Sequence, residues 1–515
     1  MLLTRTISFF LLALSLAAQA PAQLDDWVER AMKEFDVPGI AIAIVKDGQT
    51  IATKGYGVRK LGNPARVDEH TLFGIASNTK AFTAASLAIL VDEGKLNWDD
   101  PVIKHLPAFA LYDPYVTREI TVRDLLSHRS GLGLGAGDLM YWPDTILTRD
   151  QVLAGARAIK PSSSLRSTYA YNNHMFIVAG EVVHAISGKS YEDFVRERIF
   201  APLGMTESRM TNNGLAETDN VAVPHSRGWR LEGTLKPIRW ARDDVWAPAA
   251  GVKANVTDLA KWLKVQIAQG EIAPGKRLFS QHSARAMWSM QTVIPVGQAP
   301  KELADAQTQF AGYGLGWSMR DYRGHKVVTH GGGLTGMVTQ TMILPDLKLG
   351  IVVLTNQEEP GAFQAITYLL LDHYLGAAAP DWIGAIRANT LKQRARENER
   401  ETKAIAARVP NTQPSLPLVG YAADYRDAWY GLTTIELAGG ALRLRMRPTP
   451  AMQGRLEHWH YNTFVARWDD PTIPDAYVTF AMDAQGKVSG MKMESISDLA
   501  DFSFDFQDLD FRRAN

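Results

Sequence analysis

From residue 24 onward the apolar positions fall first at helical spacing and then in alternation. Leu24 to Phe35 reads as a short amphipathic helix. Two strands follow, Gly39 to Val45 and Gln49 to Gly57, joined at Lys46-Asp47-Gly48, where Asp-Gly is a strong hairpin signal. The run from Thr79 to Glu93 has no Pro or Gly, is apolar on nearly every face and stops at Gly94, which predicts a buried helix. Asp99 to about Trp262 is mostly helical and loop-rich. It includes a second buried helix over Met175 to Val183 and a third starting at Val256 with Thr257 as its expected cap.

Alternation then returns. Gly312–Met319 and Lys326–Thr329 are expected strands, and Val338–Leu344 pairs with Lys348–Asn356 around Pro345-Asp346. A helix over Ala362–Leu375 closes this part. Strands at both ends with helices between them require a sheet assembled from distant segments. Asp381 to Arg408 is charged and helix-prone, and Pro410, Pro414 and Pro417 punctuate a linker after it. Short alternating strands such as Leu442–Met446 and Tyr477–Phe480 then predict a small antiparallel barrel.

Composition narrows the function. Lys+Arg and Asp+Glu are 55 each, so the net charge is zero and nucleic-acid binding has no electrostatic footprint. Cysteine is absent, which excludes disulfides, a thiol nucleophile and thiolate metal sites. Met1 to Arg5 is a short n-region, Ile7 to Ala18 an apolar run too short to span a bilayer comfortably, and Ala20-Pro21-Ala22 a small-x-small cleavage site. The expected order is a signal peptide over 1–22, a principal domain over 23–376, a helical linker over 377–417 and the barrel over 418–515. The mature chain is expected to be exported, to a bacterial periplasm or beyond, with no integral membrane segment.

The candidate chemistry centres on Ser77-Asn78-Thr79-Lys80 at the start of the first buried helix. There a hydroxyl sits at the positive end of the helix dipole, one turn from an amine in an apolar setting. Desolvation brings such an amine towards neutrality, as a general base requires. A second Ser-x-x-Lys, Ser489-Gly490-Met491-Lys492, lies in an alternating stretch, where positions i and i+3 face opposite ways and cannot cooperate. Two more motifs occur once each: Tyr171-Asn172-Asn173 in a loop before the second buried helix, and His330-Gly331-Gly332 running on to Gly333.

In this order the three motifs resemble the penicillin-recognising serine hydrolases, on the branch holding class C β-lactamases, carboxylesterases and D-stereospecific peptidases. The resemblance runs from about Trp27 to Leu375. It includes Phe73-Gly74-Ile75-Ala76 before the first motif, Leu125-Leu126-Ser127-His128 with Ser130-Gly131-Leu132, and Pro202-Leu203-Gly204-Met205. The C-terminal segment resembles the small lipocalin-like barrels appended to some of these enzymes.

The fold implied is α+β: an antiparallel sheet flanked by helices, a helical subdomain (β-lactamase/transpeptidase-like) and a terminal barrel. By the same resemblance Ser77 is acylated, Lys80 and Tyr171 share the proton, and Asn173 binds Lys80 or the substrate amide. Backbone N–H groups of Ser77 and Gly333 form the oxyanion hole, and Gly332 lets substrate approach the strand. No cofactor or metal is implied, and the partner is a small ester or peptide substrate.

His330 stands where the β-lactamases and carboxypeptidases usually carry Lys, a better carboxylate anchor, so ester or amide hydrolysis ranks above β-lactam or D,D-carboxypeptidase activity. Three rival readings compete. An α/β-hydrolase lacks its Gly-x-Ser-x-Gly elbow, and a metal hydrolase built on His458-Trp459-His460 lacks a His-Glu-x-x-His motif, such pairs in a barrel being more often structural. A non-catalytic peptide receptor has no need of Lys80 and Tyr171 together.

Overall fold

A computed structural model describes residues 19–216, 219–230 and 232–514. The apolar run at residues 7–18, on which the export signal rests, lies outside the described residues. In chain order come α1 (Leu24–Phe35), β1 (Gly39–Lys46), β2 (Gln49–Gly57), α2 (Lys80–Asp92), α3 (His174–Ser187) and α4 (Val256–Ile267). Strands β3 (Thr292–Ile294), β4 (Ala311–Tyr313), β5 (Ser318–Tyr322), β6 (His325–Leu334), β7 (Met337–Leu344) and β8 (Leu349–Thr355) follow, then α5 (Gly361–Leu375) and α6 (Trp382–Ala406).

One eight-stranded sheet runs in the order β2-β1-β8-β7-β6-β5-β4-β3, antiparallel throughout. The β1–β2 hairpin turns at Asp47 (φ 50°) and Gly48 (φ 77°), the two left-handed residues that a type I′ turn demands. Alternation along β1 splits the core in two. Ile40, Ile42 and Ile44 pack with α1 and α5, while Ala41, Ala43 and Val45 face the helical region, where α4 lies against the sheet. The alanines leave room for helices to lie close on that face.

Helix α2 is buried on every side, as its sequence requires: Phe82 stacks on Trp262 of α4 at 4.1 Å and meets Phe200 edge-on. Elsewhere the structure differs from expectation in three places. Asn255, not Thr257, caps α4, accepting from the Asp258 N–H, while the Thr257 hydroxyl donates to the Glu69 carbonyl. The stretch 312–319 is not one strand. It breaks at Gly314 to Trp317, where Gly316 (φ 73°) backs onto the Lys80 carbonyl so closely that a side chain would sit 2.6 Å from it. Strand β6 continues through His330 and its glycines to Leu334, because backbone pairing with β7 needs no side chains.

Beyond α6, eight strands from β9 (Ala423–Asp427) to β16 (Phe511–Arg513) close into an antiparallel barrel with no free edge. Tyr421, Tyr425, Phe464 and Phe480 fill its interior. Ser489 and Lys492 diverge as expected: the hydroxyl donates to the Ala481 carbonyl and the amine pairs with Asp510. The barrel docks on the helical region, where Thr449 donates to the Leu139 carbonyl and Thr145 to that of Pro448. Among the described residues no helix is long and apolar enough to cross a membrane.

Candidate active site

Ser77 lies in a single 3-10 turn, Ala76–Thr79, one step before α2 rather than within it. The turn is held on both sides. Ile75 donates to the Val252 carbonyl, and Thr339 of β7 donates to the Ile75 carbonyl at 2.9 Å while accepting from Asn78 at 2.9 Å. Ala76 is forced to φ 51°, a left-handed conformation that costs an alanine about 1–2 kcal/mol. Backbone strain next to a side chain that must project is a recurrent feature of reactive turns.

Lys80, wholly buried, reaches back from the first turn of α2. Its Nζ donates to Ser77 Oγ at 3.0 Å, to Asn173 Oδ1 at 2.7 Å and to the Ala249 carbonyl at 3.0 Å. Burial pushes its pKa down to about 7, against a smaller upward pull from the Asp138 carboxylate. The amine sits 4.8 Å from the centre of the Tyr171 ring.

Tyr171 faces Ser77, whose hydroxyl favours the phenolate, but burial is the larger effect and drives the phenol's pKa well above its usual value. The loop carrying it is fixed by His128. That ring packs on Tyr171 at 4.1 Å, and its Nδ1 accepts from the Asn172 N–H at 3.0 Å. His128 thereby ties the Leu125–Leu132 stretch to the Tyr171 loop. In Tyr171-Asn172-Asn173 the middle residue is structural: Asn172 accepts from Met175 N–H and so caps α3.

One of the expected substrate contacts needs correction. Gly332 does not make room for substrate. A side chain there would stand 2.4 Å from both the Ile75 carbonyl and Thr339 Oγ1, so this glycine lets β6 press against the Ser77 turn. His330 lines the cavity, yet both its nitrogens are engaged. The Gly331 carbonyl can only accept, so Nδ1 carries the proton (2.6 Å) and Nε2 accepts from the Tyr313 hydroxyl (2.8 Å). Burial and the nearby Lys80 push its pKa down to about 3, which keeps it uncharged. It offers no positive charge to a carboxylate.

Ser77, Tyr171, Asn173, His330 and Gly333 open on one cavity of about 310 Å³. Its remaining wall includes Trp142, Trp246 and a segment after the last long barrel strand, Asp501-Phe502-Ser503, with Phe502 edge-on to Tyr171 at 5.5 Å. Among the described residues the lining holds the carboxyl groups of Asp138 and Asp501 and no Lys or Arg. Sequence reasoning missed Asp138, Tyr313 and the barrel segment. No motif marks them, and the last is more than three hundred residues from the groups it meets. At His458-Trp459-His460 a strand irregularity breaks the alternation, and among the described residues no group of three or more His, Cys, Asp or Glu is placed to hold a metal.

Residues 24–375 match the family model described as Beta-lactamase, and residues 407–513 match one described as a domain of unknown function, DUF3471. The unguisins hydrolase ungD' of Aspergillus campestris is 31% identical over 79% of this chain and 76% of its own length. Protein flp of Staphylococcus aureus strain N315 is 26% identical over 65% of this chain and 62% of its own. The octameric penicillin-binding protein homologue from Pyrococcus abyssi superposes with a TM-score of 0.59 at 23% identity, covering 92% of this chain and 98% of that one. SurE does so with 0.55 at 20% identity, covering 96% and 99%. These solved structures share the fold; the family-model match and the fungal relative go further, and the chain belongs to the beta-lactamase family of serine hydrolases.

Proposed function

We propose that the protein is an exported serine hydrolase that cleaves small esters or amide bonds, D-amino-acid peptides among them, through an acyl-enzyme on Ser77. The observation that carries this is the contact of a wholly buried amine, its pKa near 7, with Ser77 Oγ at 3.0 Å. At neutral pH a large share of Lys80 is unprotonated and accepts the Ser77 proton as the oxygen attacks. The phenol of Tyr171, driven up by burial, starts protonated and serves as donor to the leaving group, with Lys80 returning the proton. Asn173 orients the amine, and the N–H groups of Ser77 and Gly333 receive the oxyanion.

The lining favours neutral or cationic substrates over β-lactams. A β-lactam brings a carboxylate, and the cavity meets it with two carboxyl groups and an uncharged His330. The apolar run at residues 7–18 and Ala20-Pro21-Ala22 support export; N-terminal sequencing of the secreted protein should begin at Gln23. The decisive experiment pairs p-nitrophenyl acetate, D-amino-acid p-nitroanilides and nitrocefin with fluorophosphonate labelling. Ser77→Ala should lose both turnover and label; an active, labelled mutant removes Ser77 from the mechanism. A peptide receptor would give no burst of p-nitrophenol from the wild type.

A further inference from the structure

Asp138 is a buried carboxylate beneath the cavity and belongs to none of the three motifs. It accepts from Asn173 Nδ2 at 2.7 Å, from Ser503 Oγ at 2.8 Å and from the Tyr141 hydroxyl, and among the described residues no Lys or Arg stands within salt-bridge distance of it. Asn173 bridges two charges: its amide nitrogen serves Asp138 while its oxygen serves Lys80 Nζ. An amide can be turned either way. An acceptor-only carboxylate on one side fixes it so that the oxygen faces the amine. The barrel segment grips this turn twice, since Ser503 donates to the carboxylate and Asp505 accepts from the flanking N–H groups of Gly137 (2.7 Å) and Leu139 (3.0 Å).

We propose that Asp138 is a positioning residue through which the C-terminal barrel sets the orientation of Asn173 and the charge state of Lys80. This rests on the assignment of Lys80 as the base. The charged form of a buried lysine is opposed by desolvation, and Asp138 is the anion that offsets part of that cost. The carboxyl is itself drawn up to about 6 by burial, so amine and acid titrate as a linked pair. The groups facing this pair are Tyr141 on its own turn, Tyr171 on the loop, Asp505 and Asp501 from the barrel, and His128 and His330 around the amine. Both histidines are held uncharged by burial, and Asp505 is pushed well up, towards its neutral acid.

The test is the pH profile of kcat/KM for p-nitrophenyl acetate in the full-length protein. Asp138→Asn keeps the shape and removes the anion. Lys80 then loses its counter-charge, its pKa falls, and the acid limb should move to lower pH by about half a unit to one unit. kcat should fall roughly tenfold as Asn173 loses its fixed orientation. A purely structural role would lower the yield of folded enzyme or scale activity evenly, with the limb unmoved; that result overturns the proposal.

Should Asp138→Asn not fold, Ser503→Ala carries the test. With one donor fewer the carboxyl protonates more easily, so the limb should move the same way by less, and Ser503→Thr should restore it. An unmoved limb in Ser503→Ala also overturns the proposal. Fluorophosphonate labelling of the wild type at Ser77 separates the two ideas: if labelling fails, the hydrolase assignment is at fault; if it holds and the limbs coincide, Asp138 is not a positioning residue.

Discussion

At Lys80, burial and the pull of a nearby carboxylate act in opposite directions on the same proton, and burial wins. Two consequences arise from a pKa near 7 in the folded chain against 10.5 as the ordinary value. The free amine is the working form, so kcat/KM should climb as pH rises through about 7 and fall away below it; a flat profile from pH 5 to 8 would remove Lys80 as base. The second consequence concerns stability. Between about 7 and 10.5 the unfolded chain holds a proton on this lysine that the native chain does not, so its contribution to stability rises with pH across that window. Urea midpoints measured from pH 7 to 10 should show a rising component that Lys80→Met removes.

Among elements, the join between β6 and the Ser77 turn leaves no room for a side chain. Gly332 and Gly333 are neighbours of the same type with opposite surroundings. A side chain at Gly332 meets backbone and a buried hydroxyl at 2.4 Å, whereas nothing stands within 4 Å of one at Gly333. Gly332→Ala should therefore cost about 1–3 kcal/mol of stability and displace the Ser77 turn. Gly333→Ala should leave the thermal midpoint nearly unchanged and act, if at all, on KM. Thermal melts of the two variants side by side decide this, and equal losses would count against the packing account. The cap of α4 is a second such case. Asn255 binds the Asp258 N–H and also reaches Glu207 and the His70 carbonyl, while Thr257 only donates outward. Asn255→Ala should cost about 1 kcal/mol or more through the cap alone, and Thr257→Ala less.

For the molecule as a whole, the barrel contributes to the Ser77 cavity as well as forming an appended unit. Phe502 covers Tyr171 from a segment that returns to the helical region near the end of the chain. Phe502→Ala should widen the cavity, raising KM for acetate esters and improving kcat/KM for bulkier acyl chains; unchanged chain-length selectivity would mean the barrel does not shape the site. On the far side of the sheet, Asp372 of α5 ties three elements, accepting from Tyr322 (2.7 Å) and Arg323 (2.7 Å) at the end of β5 and from Trp382 Nε1 (2.8 Å) of α6. Asp372→Ala leaves those donors without their acceptor and should destabilise by about 3 kcal/mol. It should spare the kcat/KM of the folded fraction, because the site lies across the sheet.

The sequence alone determined what depends on neighbours along the chain. Continuous apolar runs marked β1 and α5 as buried elements, Asp47-Gly48 marked a hairpin, and the one-turn spacing of Ser77 and Lys80 put hydroxyl and amine within reach, 3.0 Å apart in the fold. The order of three motifs carried the family. Only the tertiary structure decided which of several plausible polar groups meet. Gly332 serves packing, His330 spends both nitrogens on its own surroundings, and Asp138 lies under the cavity bound to a serine 365 positions away. Burial and long-range contact set a pKa or a hydrogen-bond partner through atoms that converge in space, and no local pattern of residues encodes that convergence.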